Sequence, residues 1–188
     1  MAGAEGTPVG GGTTLVVEDG TGKTDANSYC TVAYADTYHA TYTASSDWSG
    51  ATEANKIAAL IKGTMYIDLK YGQRWKGYKA RGYGDEDEQA LDWPQIGNYD
   101  ADGWPYDEMT IPARIKQAAC EAALRALLGD DLLGTVTATG SITSESVTVG
   151  PISESKSYSG GKPYGYVYPK IDALVRPFIW DGGQVIRG

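Results

Sequence analysis

The stretch from Ile111 to Gly129, IPARIKQAACEAALRALLG, constrains the fold more than any other part of the chain. Ile115, Ala118, Ala119, Ala122, Leu124, Leu127 and Leu128 recur at helical spacing and make one apolar face. That face is dense in small residues, so a second helix can approach it closely. Pro112 stands at the expected first helical position, where its fixed φ is already suited and its missing N–H is no loss. Gly129 is a natural stop, because glycine tolerates the left-handed conformation that ends many helices.

Further helices are expected around it. Thr52 is a fitting N-cap, and Ile57, Leu60, Ile61, Thr64 and Ile67 follow at helical spacing. Gly63 sits inside this run at a cost of about 1 kcal/mol relative to alanine. A first helix is expected from the N-cap Thr31 through Tyr34 and Tyr38 to about Tyr42. A short one is expected from Lys170 to about Arg176, opened by Pro169 and closed before Pro177. "SSDWSGA" reads as a polar loop, and Leu15-Val16-Val17 as a strand before a glycine-rich turn. The forty residues from Lys70 to Met109 hold six glycines and two prolines and should form an irregular excursion. "SITSESVTVGPISESKSYS" alternates Ser or Thr with apolar residues and reads as a hairpin or ribbon, followed by an extended linker, "GGKPYGYVYP".

The fold class expected is therefore mainly α. It is a small helical bundle of three main helices plus a short C-terminal helix, with a β-hairpin or ribbon and extended N- and C-terminal arms. The organisation expected is a flexible arm over 1–14, a helical core over 15–133 with the excursion at 70–110, a ribbon over 134–160, and a linker, short helix and tail over 161–188. The length of 188 residues suffices for one such core with arms. The start of the chain lacks the basic and apolar pattern of a signal peptide, and no uncharged apolar stretch is long enough to span a bilayer. No membrane partner is expected.

Sixteen basic and twenty-four acidic residues give a net charge of −8, which opposes a general nucleic-acid binder. The charge is uneven. From Lys56 to Arg81 there are seven basic residues and one acid, Asp68; from Asp85 to Glu108 there are nine acids and no Lys or Arg. Arg74, Lys76, Lys79 and Arg81 can thus pair with Asp85, Glu86, Asp87 and Glu88, within one chain or between neighbouring copies. The same basic run interleaves with rings. Arg74, Trp75, Lys76, Tyr78, Lys79 and Arg81 offer the cations and stackable faces that single-stranded nucleic acid uses.

Other chemistry finds less support. Gly20-Thr21-Gly22-Lys23-Thr24 has the lysine and threonine of a phosphate loop, but Val17 stands where the first glycine is needed. Asp25 follows where a helix N-terminus should face the anion. One histidine, His39, with Cys30, Cys120 or a serine makes no recognised catalytic signature, so no enzymatic activity and no cofactor are expected. Two cysteines make neither a disulfide framework nor a zinc cluster, and a reducing compartment is the default. Asp100-Ala101-Asp102-Gly103 departs from a calcium loop, with Ala101 at a ligand position. The aromatic inventory of fourteen Tyr, five Trp and one Phe suits surfaces that become interfaces.

Several segments taken in order resemble a family of tailed-phage proteins. They are "VEDGTGKTDANSYCTVAYAD", "AALIKGTMYID", "RWKG…QALDWPQIGNYDADG", "IPARIKQAACEAALRAL", "SESVTVGPISESKSY" and "YPKIDALVRPFI", together spanning about residues 15–180. Two labels attach to that family. One is head–tail connector or adaptor, a virion protein forming a ring, dodecameric by that resemblance, between portal and tail. The other is DnaT-like single-stranded-DNA-binding protein. The first implies as partners other copies of the chain, a portal protein, tail or nozzle proteins, and passing duplex DNA. On that reading the apolar end of the chain, Ile171, Leu174, Phe178, Ile179 and Trp180, is the expected portal-docking element. The acidic balance favours the adaptor reading, since passing DNA must not be gripped. The second label implies the Arg74–Arg81 patch as the binding site.

Overall fold

A computed structural model describes residues 14–82, 87–136, 142–148, 153–158, 164–165 and 167–180. The expected arm over 1–14 and the turn at Gly150-Pro151 lie almost wholly outside them. The architecture is mainly helical, as the periodicity implied.

Helix α1 spans Val32–Tyr42, with the Thr31 hydroxyl accepting from the Tyr34 N–H as N-cap. "SSDWSGA" is not a loop. Ser45 caps a short helix α2, Ser46–Gly50. The reason is Trp48, which is buried, packs its ring 4.5 Å from that of His39 and donates to Asp36 at 2.8 Å. A buried tryptophan with its N–H satisfied can hold a single turn that propensity alone would not.

Helix α3, Glu53–Tyr71, begins at the Thr52 cap. Helix α4 spans Ala113–Leu127, one residue later than the proline suggested, because Pro112 takes the N-cap position. The glycine after it, Gly129, has φ of +88°. Helices α3 and α4 make the main packing contact. Its closest point is Gly63: a Cβ built there would lie 2.7 Å from both the Ala119 carbonyl oxygen and the Ala123 nitrogen. The glycine that looked like a weakness in α3 is where the small face of α4 touches its backbone.

Helix α5, Pro169–Val175, lies against α4 and runs into a 3-10 turn, Arg176–Phe178. Asp172 fastens it to α3, receiving Lys70 Nζ at 2.9 Å and the Tyr71 hydroxyl. Two buried clusters result. One gathers Tyr29, Tyr66, Ile67, Tyr71, Trp93, Ile115, Ile171 and Phe178, and the other Cys30, Tyr38, Trp48, Leu60, Cys120 and Ala123.

The expected strand at Leu15–Val17 is only an isolated bridge between Val17 and Ser28. Among the described residues six short strands complete the fold. β1 (Tyr78–Lys79) pairs with β2 (Gln95–Ile96), and β3 (Thr135–Val136) with β6 (Tyr164–Gly165). β4 (Ile142–Thr148) and β5 (Ser153–Tyr158) form the antiparallel ribbon. The linker read as extended thus closes a second ladder at the ribbon's base.

Candidate nucleic-acid interface

The glycine-rich turn resolves first. The carboxylate of Glu18, 2 % exposed, accepts from the backbone N–H of Gly20 and Gly22 at 2.9 Å each and of Lys23 at 2.7 Å. Converging N–H groups of this kind bind anions. Here the anion is the chain's own side chain, which fills the place a phosphate would need. Lys23 is also engaged, with Asp19 at 2.9 Å and the Val17 carbonyl at 2.9 Å. The bond to Lys23 and those from Thr21 hold the Asp19 carboxyl down at about 2.

The excursion is organised from within. Gln89, 1 % exposed, donates to the carbonyls of Leu91 and Pro94 and accepts from the Arg81 N–H. Asp92 accepts from the Trp75 indole at 2.8 Å and lies 3.9 Å from Lys79 Nζ. The Tyr29 hydroxyl donates to Asp68 and accepts from the Trp93 N–H. Burial, with the Asp92 charge beside it, pushes the Asp68 carboxyl up to about 7. The R-W-x-G and Q-x-L-x-W-P segments are therefore a knot that folds 74–98 onto the core.

This knot divides the basic run. Trp75 is half-buried between Tyr71 and Trp93, so its faces are not free for bases. Lys76 donates to the Pro177 carbonyl at 2.9 Å, and Lys79 to that of Gln89 at 3.3 Å. Arg74, Tyr78 and Arg81 are exposed. Arg81 lies 3.6 Å from Asp87, both well exposed, so solvent screens the pair strongly. Of the acids proposed to pair between copies, Asp87 thus faces its own chain and Glu88 is exposed; Asp85 and Glu86 lie outside the described residues.

The C-terminal segment divides likewise. Ile171, Phe178 and Ile179 are buried in the chain's own core, and Leu174 packs partly against it. Phe178 sits edge-on to Trp93, ring centroids 5.2 Å apart. Their apolar area is already used, which leaves Trp180, 63 % exposed, as the member of that set open to a partner.

Trp180 is brought to the basic run. Trp75 and Ile179 form an antiparallel bridge, flanked by Lys76 N–H to the Phe178 carbonyl at 2.9 Å and Trp180 N–H to the Arg74 carbonyl at 2.8 Å. Directly opposed residues share a face and neighbours alternate. Regular alternation does not extend through this single bridge, since Arg74 ends a 3-10 turn and Phe178 and Ile179 are both buried, but the two residues joined beside it, Arg74 and Trp180, are both exposed. An exposed indole whose backbone is bonded to that of an exposed arginine, with Tyr78 exposed four residues on in β1, offers a small cation–aromatic surface. Sequence reasoning separated Trp180 from Arg74 because they lie 106 positions apart.

A second cation–aromatic line runs along α4 and was not legible in the sequence. Lys116 lies over the Tyr34 ring at 5.9 Å, Lys170 over Tyr38 at 5.6 Å and Arg125 over Tyr168 at 5.8 Å. Lys170 is also held at 2.5 Å by Glu121, which accepts from the Tyr38 hydroxyl. His39 is structural: its Nε2 lies 3.2 Å from the Cys120 carbonyl, and burial lowers its pKa. Asp100 folds its own turn, accepting from the N–H of Asp102 and Trp104. Among the described residues no group of three or more His, Cys, Asp or Glu is placed to hold a metal ion. No helix among them is long and apolar enough to cross a membrane.

The fold and surface define a small helical domain with a knotted aromatic excursion and a cation–aromatic edge. Residues 13–188 match the family model described as "Putative DnaT-like ssDNA binding protein", and the chain belongs to that family. This is the second of the two labels that the resemblance carried; the comparison gives no support to the head–tail connector label. No curated protein and no solved structure matches the chain.

Proposed function

We propose that this chain binds single-stranded DNA through the edge formed by Arg74, Tyr78, Arg81 and Trp180. The observation that carries the reading is the 2.8 Å backbone bond that joins exposed Trp180 to exposed Arg74 next to the Trp75–Ile179 bridge. Its family's description supports the same reading. The indole and phenol supply faces on which bases stack, and the two guanidiniums meet phosphates. Asp92 is engaged by Trp75 and Lys79 and Asp172 by Lys70 and Tyr71, while Asp87 lies 3.6 Å from Arg81 in an exposed pair that a phosphate would displace. The overall charge of −8 is thereby compatible with a short local footprint but not with a long track.

A footprint this small has a signature. Two or three phosphate contacts give a log–log salt slope of about −2 for single strands. Fluorescence anisotropy with a labelled oligo-dT, titrated across salt, tests it. Binding with that slope, in preference to duplex of equal length, is expected. Absence of binding at low salt would sink the reading.

The head-to-tail adaptor reading is kept as a second one, for a specific observation. Met65, Leu69, Leu128 and Leu133 are all half or more exposed, or nearly so, on α3 and just after α4. Met65 and Leu133 line a cavity of about 320 Å³ with Tyr66, Asp130 and Asp131. Trp104 and Met109 are exposed on the separate 98–110 loop. Distinct apolar surfaces on one chain suit heterologous contacts between copies, with portal and tail proteins as neighbours and duplex DNA passing through. The virion is the location this reading implies, and it assigns no catalytic activity. Quantitative mass spectrometry of purified particles tests it: a copy number matching the portal supports it, and absence from particles rejects it.

A further inference from the structure

The sulfur atoms of Cys30 and Cys120 lie 3.6 Å apart, although the residues are 90 positions apart in the chain. Both are buried, at 2 % and 0 % exposure, in the cluster formed by α1, α2, α3 and α4. Cys30 sits on the segment that enters α1, directly after Tyr29, which is itself fixed by Thr64 and Asp68. Cys120 sits mid-helix on α4, its carbonyl facing His39. Neither sulfur has been called on by the packing of the excursion or by the cation–aromatic edge. A disulfide brings its sulfurs to about 2.05 Å, so oxidation has a gap of about 1.5 Å to close.

We propose that Cys30 and Cys120 are a modification site, a dithiol that a small hydroperoxide converts to an intramolecular disulfide. The steps balance as follows. The Cys30 thiol gives up its proton as its sulfur attacks one peroxide oxygen; the O–O bond breaks, the departing hydroxide takes that proton and leaves as water, and Cys30 becomes a sulfenic acid. Cys120 sulfur then attacks the Cys30 sulfur, its proton going to the departing hydroxide, and water leaves as the S–S bond forms. Two thiols and one peroxide give one disulfide and two waters. Cys30 takes the first step because it is the less buried of the two and because the hydrogen bond with Cys30, together with burial, raises the Cys120 thiol well above its usual range. The depth of the pair selects the oxidant. At 2 % and 0 % exposure the pair excludes a glutathione-sized disulfide while the cluster is closed, so the oxidant must be a small one.

The bond would tie the entry of α1 to the middle of α4 and enclose α1, α2, α3 and the excursion in one loop. A loop of that length restricts the unfolded chain strongly, and the expected rise in Tm is about 5–15 °C. The experiment uses the full reduced chain, treated with excess hydrogen peroxide, quenched, then denatured and alkylated. Peptide mapping without reductant should reveal the Cys30 and Cys120 peptides joined, with no alkylation at either, and Tm should rise and return on adding dithiothreitol. Cys30→Ala, folded as judged by circular dichroism, should lose both the joined peptide and the rise. Two results would overturn the proposal: both cysteines still alkylated after peroxide, or the two oxidised separately to sulfinic acids with no joined peptide.

Discussion

The backbone N–H of Trp180 donates to the carbonyl of Arg74 at 2.8 Å, next to a bridge that turns Trp75 and Ile179 inward. Two exposed residues 106 positions apart in the chain are thereby joined through their backbones. Their pairing gives the DNA-binding reading its sharpest test. Trp180→Ala should weaken oligo-dT binding about tenfold, the effect of one lost stacking partner. Arg74→Ala should weaken it by a similar factor and reduce the salt slope by about 0.7. Neither should move Tm by more than about 2 °C, since both side chains are exposed. Trp104→Ala, an equally exposed tryptophan on another loop, should leave binding unchanged in the same anisotropy assay.

Glu18 holds three backbone N–H groups that have no other acceptor among the contacts described. Glu18→Ala should lower unfolding free energy by about 2–4 kcal/mol, because charge-assisted bonds are lost and buried donors are left bare. Urea unfolding measures this. Isothermal titration with ATP should register no binding to the wild-type chain, whose nest Glu18 already fills.

Gly63→Ala should be far worse than helix propensity implies. Alanine is the better helix former by about 1 kcal/mol. Yet its methyl would stand 2.7 Å from backbone atoms of Ala119 and Ala123, which cannot step aside without moving α4. A net loss of about 2–3 kcal/mol is expected by urea unfolding, and a gain would mean that the helices can separate cheaply.

Asp68 makes stability depend on pH in an unusual direction. Its folded pKa of about 7 lies above the unfolded value of 3.8, so the folded chain holds the proton more tightly. Its contribution is full below about pH 4 and is lost as pH rises through about 7, a difference of about 4 kcal/mol. His39 acts oppositely: burial depresses its pKa below 6.5, so its contribution is lost as pH falls through that region. Asp19, held at about 2, changes only below pH 4. The difference between the wild-type chain and Asp68→Asn, followed by urea unfolding from pH 4 to 8, isolates Asp68. The wild-type chain should lose stability relative to the variant across that range.

Much of the helical frame was legible. Thr31 and Thr52 cap the helices they were expected to cap, and Gly129 ends α4 in a left-handed conformation. Caps and turns act over a few residues, so local sequence suffices to reveal them. Trp48 shows the limit. "SSDWSGA" is polar on its surface and helical only because one indole finds a buried place against His39.

The sequence by itself determined the helices, the small-residue face of α4, the aromatic and charge inventory, and the incompleteness of the phosphate-loop pattern. The tertiary structure decided how each was used. It showed that Glu18 occupies the anion nest, that Phe178 and Ile179 serve the core while Trp180 does not, that Lys76 and Lys79 are tied inward, and that Cys30 meets Cys120. The physical reason is range. Helix signals come from neighbours three or four residues apart, whereas burial and pairing depend on which distant segments share a space, and spacing in the chain carries no record of that.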